Sequence, residues 1–215
     1  MTTLCSELSN ARSLLKIQNP EEVLPIGVGF LMFRPKNFLE SIVPVLHEYR
    51  PAAVWLFAAE NRAQYTNIIP LLKAEGKAWG LKVFVQVGSV KDAREAVEDG
   101  TDVLVVQGTD AGGHQLARGA GLMALLPEVV DILKEEFEDS QVSIIAAGGI
   151  MDGRGIAAAT ALGRYTLAFI RSRPLRLITN GVIGAQGVVM GTRVCSTNSD
   201  EAYYFNLIRT VPRHC

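Results

Sequence analysis

Short runs of apolar residues alternate along this chain with longer segments in which apolar residues recur every three or four positions. The runs are continuous rather than alternating, which is typical of parallel strands that are covered on both faces. The predicted strands span residues 25–31, 52–58, 81–87, 102–108, 142–149 and 186–191. The predicted helices span residues 36–48, 64–78, 91–98, 124–137 and 152–162, with a helix-like segment at 4–18 and a further candidate at 201–210. This order predicts a repeating βα unit in a doubly wound sheet or a barrel.

Composition and charge narrow the class of protein. A chain of 215 residues, 48% hydrophobic and 20% charged, can bury a large core. Its net charge of -1, with both signs mixed along the chain, leaves no basic stripe for nucleic acid. No window approaches the roughly 18 apolar residues of a membrane span, and no signal peptide is recognisable. The scattered Cys5, Cys195 and Cys215 predict a reducing, cytoplasmic setting without disulfides or metal.

Polar and glycine-rich turns follow four of the predicted strands. These turns are Gln86 to Ser89, Gln107 to His114, Gly148 to Gly149, and Gly191 to Arg193. In an α/β barrel the carboxyl ends of all strands share one rim, and this rim carries the functional site. An open sheet concentrates its site at one switch point instead. Four such turns therefore favour the barrel.

Two of the turns are suited to a phosphate group. Gly148 and Gly149 allow close approach of the backbone, and the helix that follows near Asp152 is expected to offer free N–H groups and a positive dipole end. In the second turn, Thr192 adds a hydroxyl and Arg193 a charge. Each turn taken singly is equally well explained as a tight βα connection. Two at consecutive strand ends favour phosphate binding.

Three segments carry a family resemblance. VVQGTDAGGH, AAGGIMDGRG and GVVMGTR, in this order, closely resemble the nitronate monooxygenases, once called 2-nitropropane dioxygenases. The resemblance extends from about Pro25 to Cys195. It implies an α/β fold of the TIM-type (β/α)8 barrel class. It also implies FMN as cofactor and the oxidation by O2 of a small-molecule nitronate or nitroalkane to a carbonyl compound and nitrite.

The resemblance also implies roles for single residues. His114 would be the catalytic base, which suits an imidazole because its pKa lies near neutrality. Gln86, Gln107 and Gly112 would contact the flavin. Contacts to the FMN phosphate are implied for Gly148, Gly149, Val189, Met190, Gly191 and Thr192. Asp110 is expected to cap its turn, and His47 has no such setting and is expected to be structural.

Two departures from the family pattern limit these expectations. A (β/α)8 barrel closes with eight strands, whereas about six are predicted, matching the family's third to eighth. We therefore expect a helical segment at 1–24 followed by an incomplete FMN-binding barrel at 25–215, without the first two strands. Residues 164–184 are an expected insertion, which roughly doubles the spacing between the two phosphate turns and contains Arg but no acidic residue. It is either a gene-model artefact or a real surface excursion.

Three classes of function remain open. The first is the nitronate oxidation described above. The second is another FMN barrel oxidoreductase, for example an enzyme similar to the enoyl reductases. The third is an inactive remnant that keeps the motifs but does not hold FMN. The true substrate and the oligomeric state are not determined by the sequence.

Overall fold

The computed structural model describes residues 2–33, 38–112, 115–116, 118–163, 187–189 and 204–205. The chain divides into two compact units. The first comprises Met1–Phe84 with Ser199–Leu207, and the second comprises Val85–Asn198 with Ile208–Cys215. The second unit contains every described residue for which a role in the site was predicted.

The first unit contains two parallel strands with helices before and after them. Its elements are α1 (Thr2–Leu14), β1 (Leu24–Leu31), α2 (Phe38–Tyr49), β2 (Pro51–Phe57), α3 (Arg62–Glu75), a 3-10 turn (Gly76–Trp79) and β7 (Tyr204–Phe205). β1 pairs in parallel with β2, so that Val28 lies opposite Val54. The core forms because the apolar faces of these elements are buried, with Leu8, Leu24 and Leu56 fully inaccessible.

The second unit continues the βα repeat. β3 (Lys82–Val87) begins in the first unit and ends in the second, and it is followed by α4 (Val90–Glu98), β4 (Val103–Gln107), α5 (Leu122–Glu136), β5 (Ser143–Ala147), α6 (Gly153–Gly163) and β6 (Gly187–Val189). β4, β5 and β6 pair in parallel in that order. β4 is almost wholly buried, as expected for a strand between helical layers. α5 supplies the opposing apolar face through residues such as Leu125, Leu126 and Val129.

The predicted strands and helices are confirmed within a few residues. One strand is shorter than predicted at 142–149, because β5 ends at Ala147. Gly148 (φ 103°) and Gly149 (φ 67°) adopt left-handed backbone conformations that cannot continue a strand. The helix predicted at 64–78 ends at Glu75 and continues only as the 3-10 turn, where Gly76 packs tightly on Leu81.

The helix considered for residues 201–210 is wrong at the two positions that are described. Tyr204 and Phe205 form a short strand antiparallel to β1, opposite Val28 and Gly27. Pairing with a strand that is already in place overrides the local pattern there. The predicted insertion at 164–184 lies outside the described residues. Among the helices that are described, none is both long and apolar enough to cross a membrane.

Candidate functional site

The carboxyl ends of three neighbouring strands meet in the second unit. Gln107, the last residue of β4, lies opposite Ala147, the last residue of β5. Ala147 in turn lies opposite Val189, the last residue of β6. The predicted flavin contact Gln107 and the predicted phosphate contact Val189 are thus brought to one row of strand ends. The turn of Gly148 and Gly149 begins directly after the middle of this row.

A pair of side-chain amides lies at the ends of β3 and β4. Gln86 is 8% exposed, and its Nε2 donates a hydrogen bond of 2.7 Å to Oε1 of Gln107. A buried amide is tolerated only when its polar atoms are bonded, so this bond allows Gln86 to stand among apolar neighbours. The partner Gln107 is half-buried and borders a small cleft. The two glutamines predicted as flavin contacts therefore orient each other.

The turn after β4 packs directly against the start of α5. A Cβ atom on Gly108 would lie 2.7 Å from both Cα and Cβ of Leu122, and closer still to its backbone nitrogen. Only glycine fits at this position. The Gly108 N–H also donates to the carbonyl of Ala147 (3.0 Å), which ties the turn to the end of β5. Packing between elements, rather than phosphate binding, accounts for this glycine.

Asp110 bonds to a helix that begins twelve residues further along the chain. The backbone N–H of Leu122, the first residue of α5, donates to Oδ2 of Asp110 at 2.8 Å. Gly121 precedes it in the capping position and has no side chain that could serve this N–H. The expectation that Asp110 caps its own turn therefore needs correction, because the described carboxylate contact is to the N-terminus of α5.

The double glycine after β5 is required by its surroundings. A Cβ atom on Gly148 would lie 3.0 Å from the carbonyl oxygen of Gly108 and 3.1 Å from the nitrogen of Ala111. A Cβ atom on Gly149 would lie 3.0 Å from Cβ of Asp110. Together with the positive φ values, these contacts explain both glycines by the close packing of two neighbouring turns.

The N-terminus of α6 differs from the expectation of free N–H groups. The backbone N–H groups of Arg154 (2.9 Å) and Gly155 (3.4 Å) donate to Oδ1 of Asp152. The Arg154 guanidinium donates to Oδ2 at 2.6 and 3.0 Å. These bonds, from the guanidinium first and the backbone second, hold the pKa of Asp152 below its usual value. Two amides that were expected to meet a phosphate are therefore occupied by the chain's own carboxylate.

Part of the connection between β4 and α5 packs against the residue that follows β3. Leu116 reaches Gly88, where an added Cβ atom would lie 2.8 Å from Cδ1 of Leu116. The open cleft beside it is lined in part by Gln107, Thr109 and Arg118, and it encloses no space large enough for a water molecule. Ligand pockets usually measure about 300–1,000 Å³, so this cleft does not by itself accommodate a cofactor. Gly112, in contrast, is exposed, and an added Cβ atom there would meet nothing within 4 Å.

Several predicted site residues lie outside the described part of the chain. These are His114, Met190, Gly191, Thr192 and Arg193. His47 is described: its Nε2 lies 2.8 Å from Oε2 of Glu75, and its ring packs edge-on against Trp79. These contacts agree with the structural role expected for it. Within the described ranges, no cluster of three or more His, Cys, Asp or Glu residues could hold a metal ion.

Sequence reasoning missed two contacts of the site. The bond from Leu122 to Asp110 joins residues twelve positions apart, and the bond between Gln86 and Gln107 joins residues 21 apart. No local pattern indicated the first, since the helix was predicted to begin at 124 and begins instead at Leu122, directly after Gly121. No local pattern pairs the two glutamines, since their contact depends on adjacent strands.

Comparison with known proteins identifies relatives of this chain. The sequence profile of the family described as nitronate monooxygenase matches residues 38–169. The nitronate monooxygenase of Neurospora crassa is 42% identical over 208 residues, covering 90% of this chain and 48% of the relative. Nitronate monooxygenase npaC of Metarhizium robertsii is 38% identical over 183 residues, covering 82% of this chain and 42% of the relative. The chain thus spans about half the length of these relatives.

A solved structure supports the fold class. A mutant of FabK from Thermotoga maritima matches with a TM-score of 0.58 and 28% sequence identity, covering 88% of this chain and 49% of that one. FabK has a TIM-barrel fold, so the predicted class, an incomplete α/β barrel of the TIM type, is confirmed. The family profile covers more than half of the chain, and the Neurospora crassa protein aligns with nearly all of it. The chain therefore belongs to the nitronate monooxygenase family of enzymes.

Proposed function

We propose that the protein of which this chain forms part or all binds FMN and oxidises nitronates or nitroalkanes with O2 to a carbonyl compound and nitrite. The observation that carries this proposal is the row of strand ends formed by Gln107, Ala147 and Val189, with the amide of Gln86 bonded to Gln107. Family membership gives that row its chemical meaning, because Gln107, an implied flavin contact, and Val189, an implied phosphate contact, lie at its two ends. We place this activity in the cytoplasm, where the three scattered cysteines would remain reduced.

The described residues fit the ring of a flavin. Gly112 is exposed with open space above it, so a flat ring can approach its backbone without a side chain in the way. The amides of Gln86 and Gln107 supply donors and acceptors for the polar edge of such a ring. Because the two amides bond each other, the flavin does not need to set their orientation.

The phosphate of FMN would be bound by a narrower set of groups than the sequence suggested. The N–H groups of Arg154 and Gly155 are bonded to Asp152, and a second anion there would meet a carboxylate. The backbone of Gly148 and Gly149 lies next to the end of β6 and stays in the proposal. Met190, Gly191 and Thr192 directly follow that strand in the sequence, and we assign the remaining contacts to them.

His114 is assigned the proton transfer. A nitroalkane must lose a proton from the carbon beside the nitro group, and a neutral imidazole is suited to accept it near pH 7. A nitronate has already lost this proton, so His114 would then only hold the anionic substrate. When bound, FMN supplies the acceptance of electrons from the substrate and their delivery to O2. The chain's own residues bind the substrate, orient it and remove its proton.

The first test is flavin binding. The purified 215-residue chain is mixed with FMN, passed through gel filtration, and examined by visible absorption, with the released flavin quantified after denaturation. The proposal expects flavin bands that elute with the protein and nitrite release when a nitronate and air are added. A colourless protein that does not retain FMN would contradict it and favour the inactive remnant.

Two histidine variants test the assignment of the base. His114→Ala is expected to lower nitrite release from a neutral nitroalkane on the order of a hundredfold or more, the usual contribution of a general base. It should lower release from the preformed nitronate much less. His47→Ala is the matched control, since His47 is paired with Glu75 in the first unit and should leave both rates unchanged. Equal losses on both substrates would refute the role of His114 as a base.

A further inference from the structure

One carboxylate connects three separate turns of the second unit. Asp110 belongs to the turn after β4, and its Oδ2 accepts the N–H of Leu122 at the start of α5. Its Cβ lies 3.0 Å from the position of an added Cβ on Gly149, in the turn after β5. Its two carboxylate oxygens lie 3.3 and 3.6 Å from the corresponding position on Gly121.

These contacts hold together the two ends of the connection between β4 and α5. The N–H of Thr109 donates to the carbonyl of Ala120 (3.0 Å), which joins the two ends of the connection through the backbone. The bond between Asp110 and Leu122 is the second tie, one residue further along on the first side and two residues further along on the other. Between these ties the chain carries Gly112, His114 and Leu116. Among the described bonds, these two join the beginning of the connection to its end, and the second of them is made by a side chain.

The electrostatics favour the same arrangement. The first N–H groups of a helix have no partner inside the helix and carry partial positive charge. α5 begins after Gly121, which makes no side-chain cap bond. A negative group from elsewhere therefore gains both a hydrogen bond and a favourable interaction with the helix dipole. The start of α5 and the closure of the connection are stabilised by the same atom of Asp110.

We propose that Asp110 is a positioning residue: its bond to Leu122 holds together the two ends of the connection at 111–121, the segment whose sequence contains the proposed base His114. The structural part of this proposal rests on the contacts of Asp110, and its catalytic part rests on the proposed function. A carboxylate is not itself required, because the bond needs only an oxygen that accepts the N–H of Leu122. Asp110→Asn should therefore keep the hydrogen bond to the N–H of Leu122, whereas Asp110→Ala should lose it.

Limited proteolysis tests the structural part without any cofactor. Arg118 is exposed within the connection, and trypsin cleavage after it creates a new chain end at Gly119 that mass spectrometry can quantify. Cleavage requires local opening, so its rate follows the population of the open connection. Asp110→Ala should speed this cleavage on the order of tenfold, the effect expected from loss of one capping bond. Asp110→Asn should stay within about twofold of the unaltered chain.

A matched control separates this effect from general destabilisation. Ser140 Oγ accepts the N–H of Val142 (3.3 Å) just before β5, so Ser140→Ala also removes one acceptor for a backbone N–H but leaves the connection intact. It should not change cleavage after Arg118. The proposal is overturned if Asp110→Ala is cut no faster than the unaltered chain. It is also overturned if the Asn variant or the Ser140 control is cut as fast as Asp110→Ala.

Kinetics test the catalytic part once nitrite release is established. With FMN retained, Asp110→Ala should lower kcat for a nitroalkane on the order of tenfold and change KM little, and Asp110→Asn should restore kcat. If the unaltered chain binds no FMN, the proposed function fails while the proteolysis result still decides the structural part. If the unaltered chain is active and Asp110→Ala retains full kcat, the positioning role is wrong although the proposed function stands.

Discussion

Replacing Gly108 by alanine should disturb the junction between β4 and α5. The added Cβ would lie 2.7 Å from Cα and Cβ of Leu122, whereas carbon atoms in contact are usually about 3.5–4.0 Å apart. Relief requires the start of α5 to move by about 1 Å, since backbone atoms cannot rotate away as a side chain can. That movement strains the hydrogen bond from Leu122 to Asp110 (2.8 Å) and the bond from Gly108 to Ala147 (3.0 Å).

The size of the effect follows from these two contributions. Overpacking costs about 1–3 kcal/mol, and a weakened helix cap adds about 1 kcal/mol. The free energy of unfolding should therefore fall by about 2–4 kcal/mol. For a chain of this length each kcal/mol shifts the melting temperature by about 2–4 °C, so Tm should fall by roughly 5–15 °C. Circular dichroism at 222 nm during heating measures this shift.

Gly112→Ala is the matched control for this prediction. The same methyl group is added four residues further along, where it meets nothing within 4 Å. Its effect on the free energy of unfolding should stay within about 0.5 kcal/mol, as for ordinary surface changes. A Gly108→Ala chain that melts within about 2 °C of the unaltered chain, or no lower than Gly112→Ala, would refute the steric reasoning. If the proposed flavin contact is correct, Gly112→Ala should instead weaken FMN retention.

Two further predictions concern polar groups at the same rim. Gln86→Leu removes the donor to Gln107 Oε1. Because half-buried Gln107 can then bond to water, the free energy of unfolding measured by urea denaturation should fall by only about 1 kcal/mol. An unchanged urea midpoint would show that the amide bond contributes nothing. The pKa of Asp152 is lowered chiefly by the Arg154 guanidinium. The ionised carboxylate of Asp152 therefore stabilises the folded chain above the unfolded pKa of about 3.9, and this stabilisation is lost as the pH falls through the lower folded pKa. In an NMR titration of the carboxyl carbon, Arg154→Ala should raise this pKa toward its usual value, and an identical titration in both chains would contradict the assigned cause.

Much of the fold could be predicted from the sequence because buried parallel strands have a strong local pattern. A strand such as Val103–Gln107 is apolar at nearly every position, and the helices between strands repeat with their own period. The turns at the strand ends were located for the same reason, since glycine and polar residues interrupt these runs. The antiparallel strand at Tyr204–Phe205 was not predicted, because its conformation depends on pairing with β1 rather than on its own residues.

The sequence by itself determined the βα order, the positions of the strand-end turns and the family to which the chain belongs. These follow from local periodicity and from motifs whose residues are close together along the chain. Only the tertiary structure decided that Gln86 bonds to Gln107 and that Asp110 bonds to the first N–H of α5. Hydrogen bonds of this kind depend on atoms within about 3 Å of each other. Side chains from separate turns reach such distances only after the strands have paired and the helices have packed.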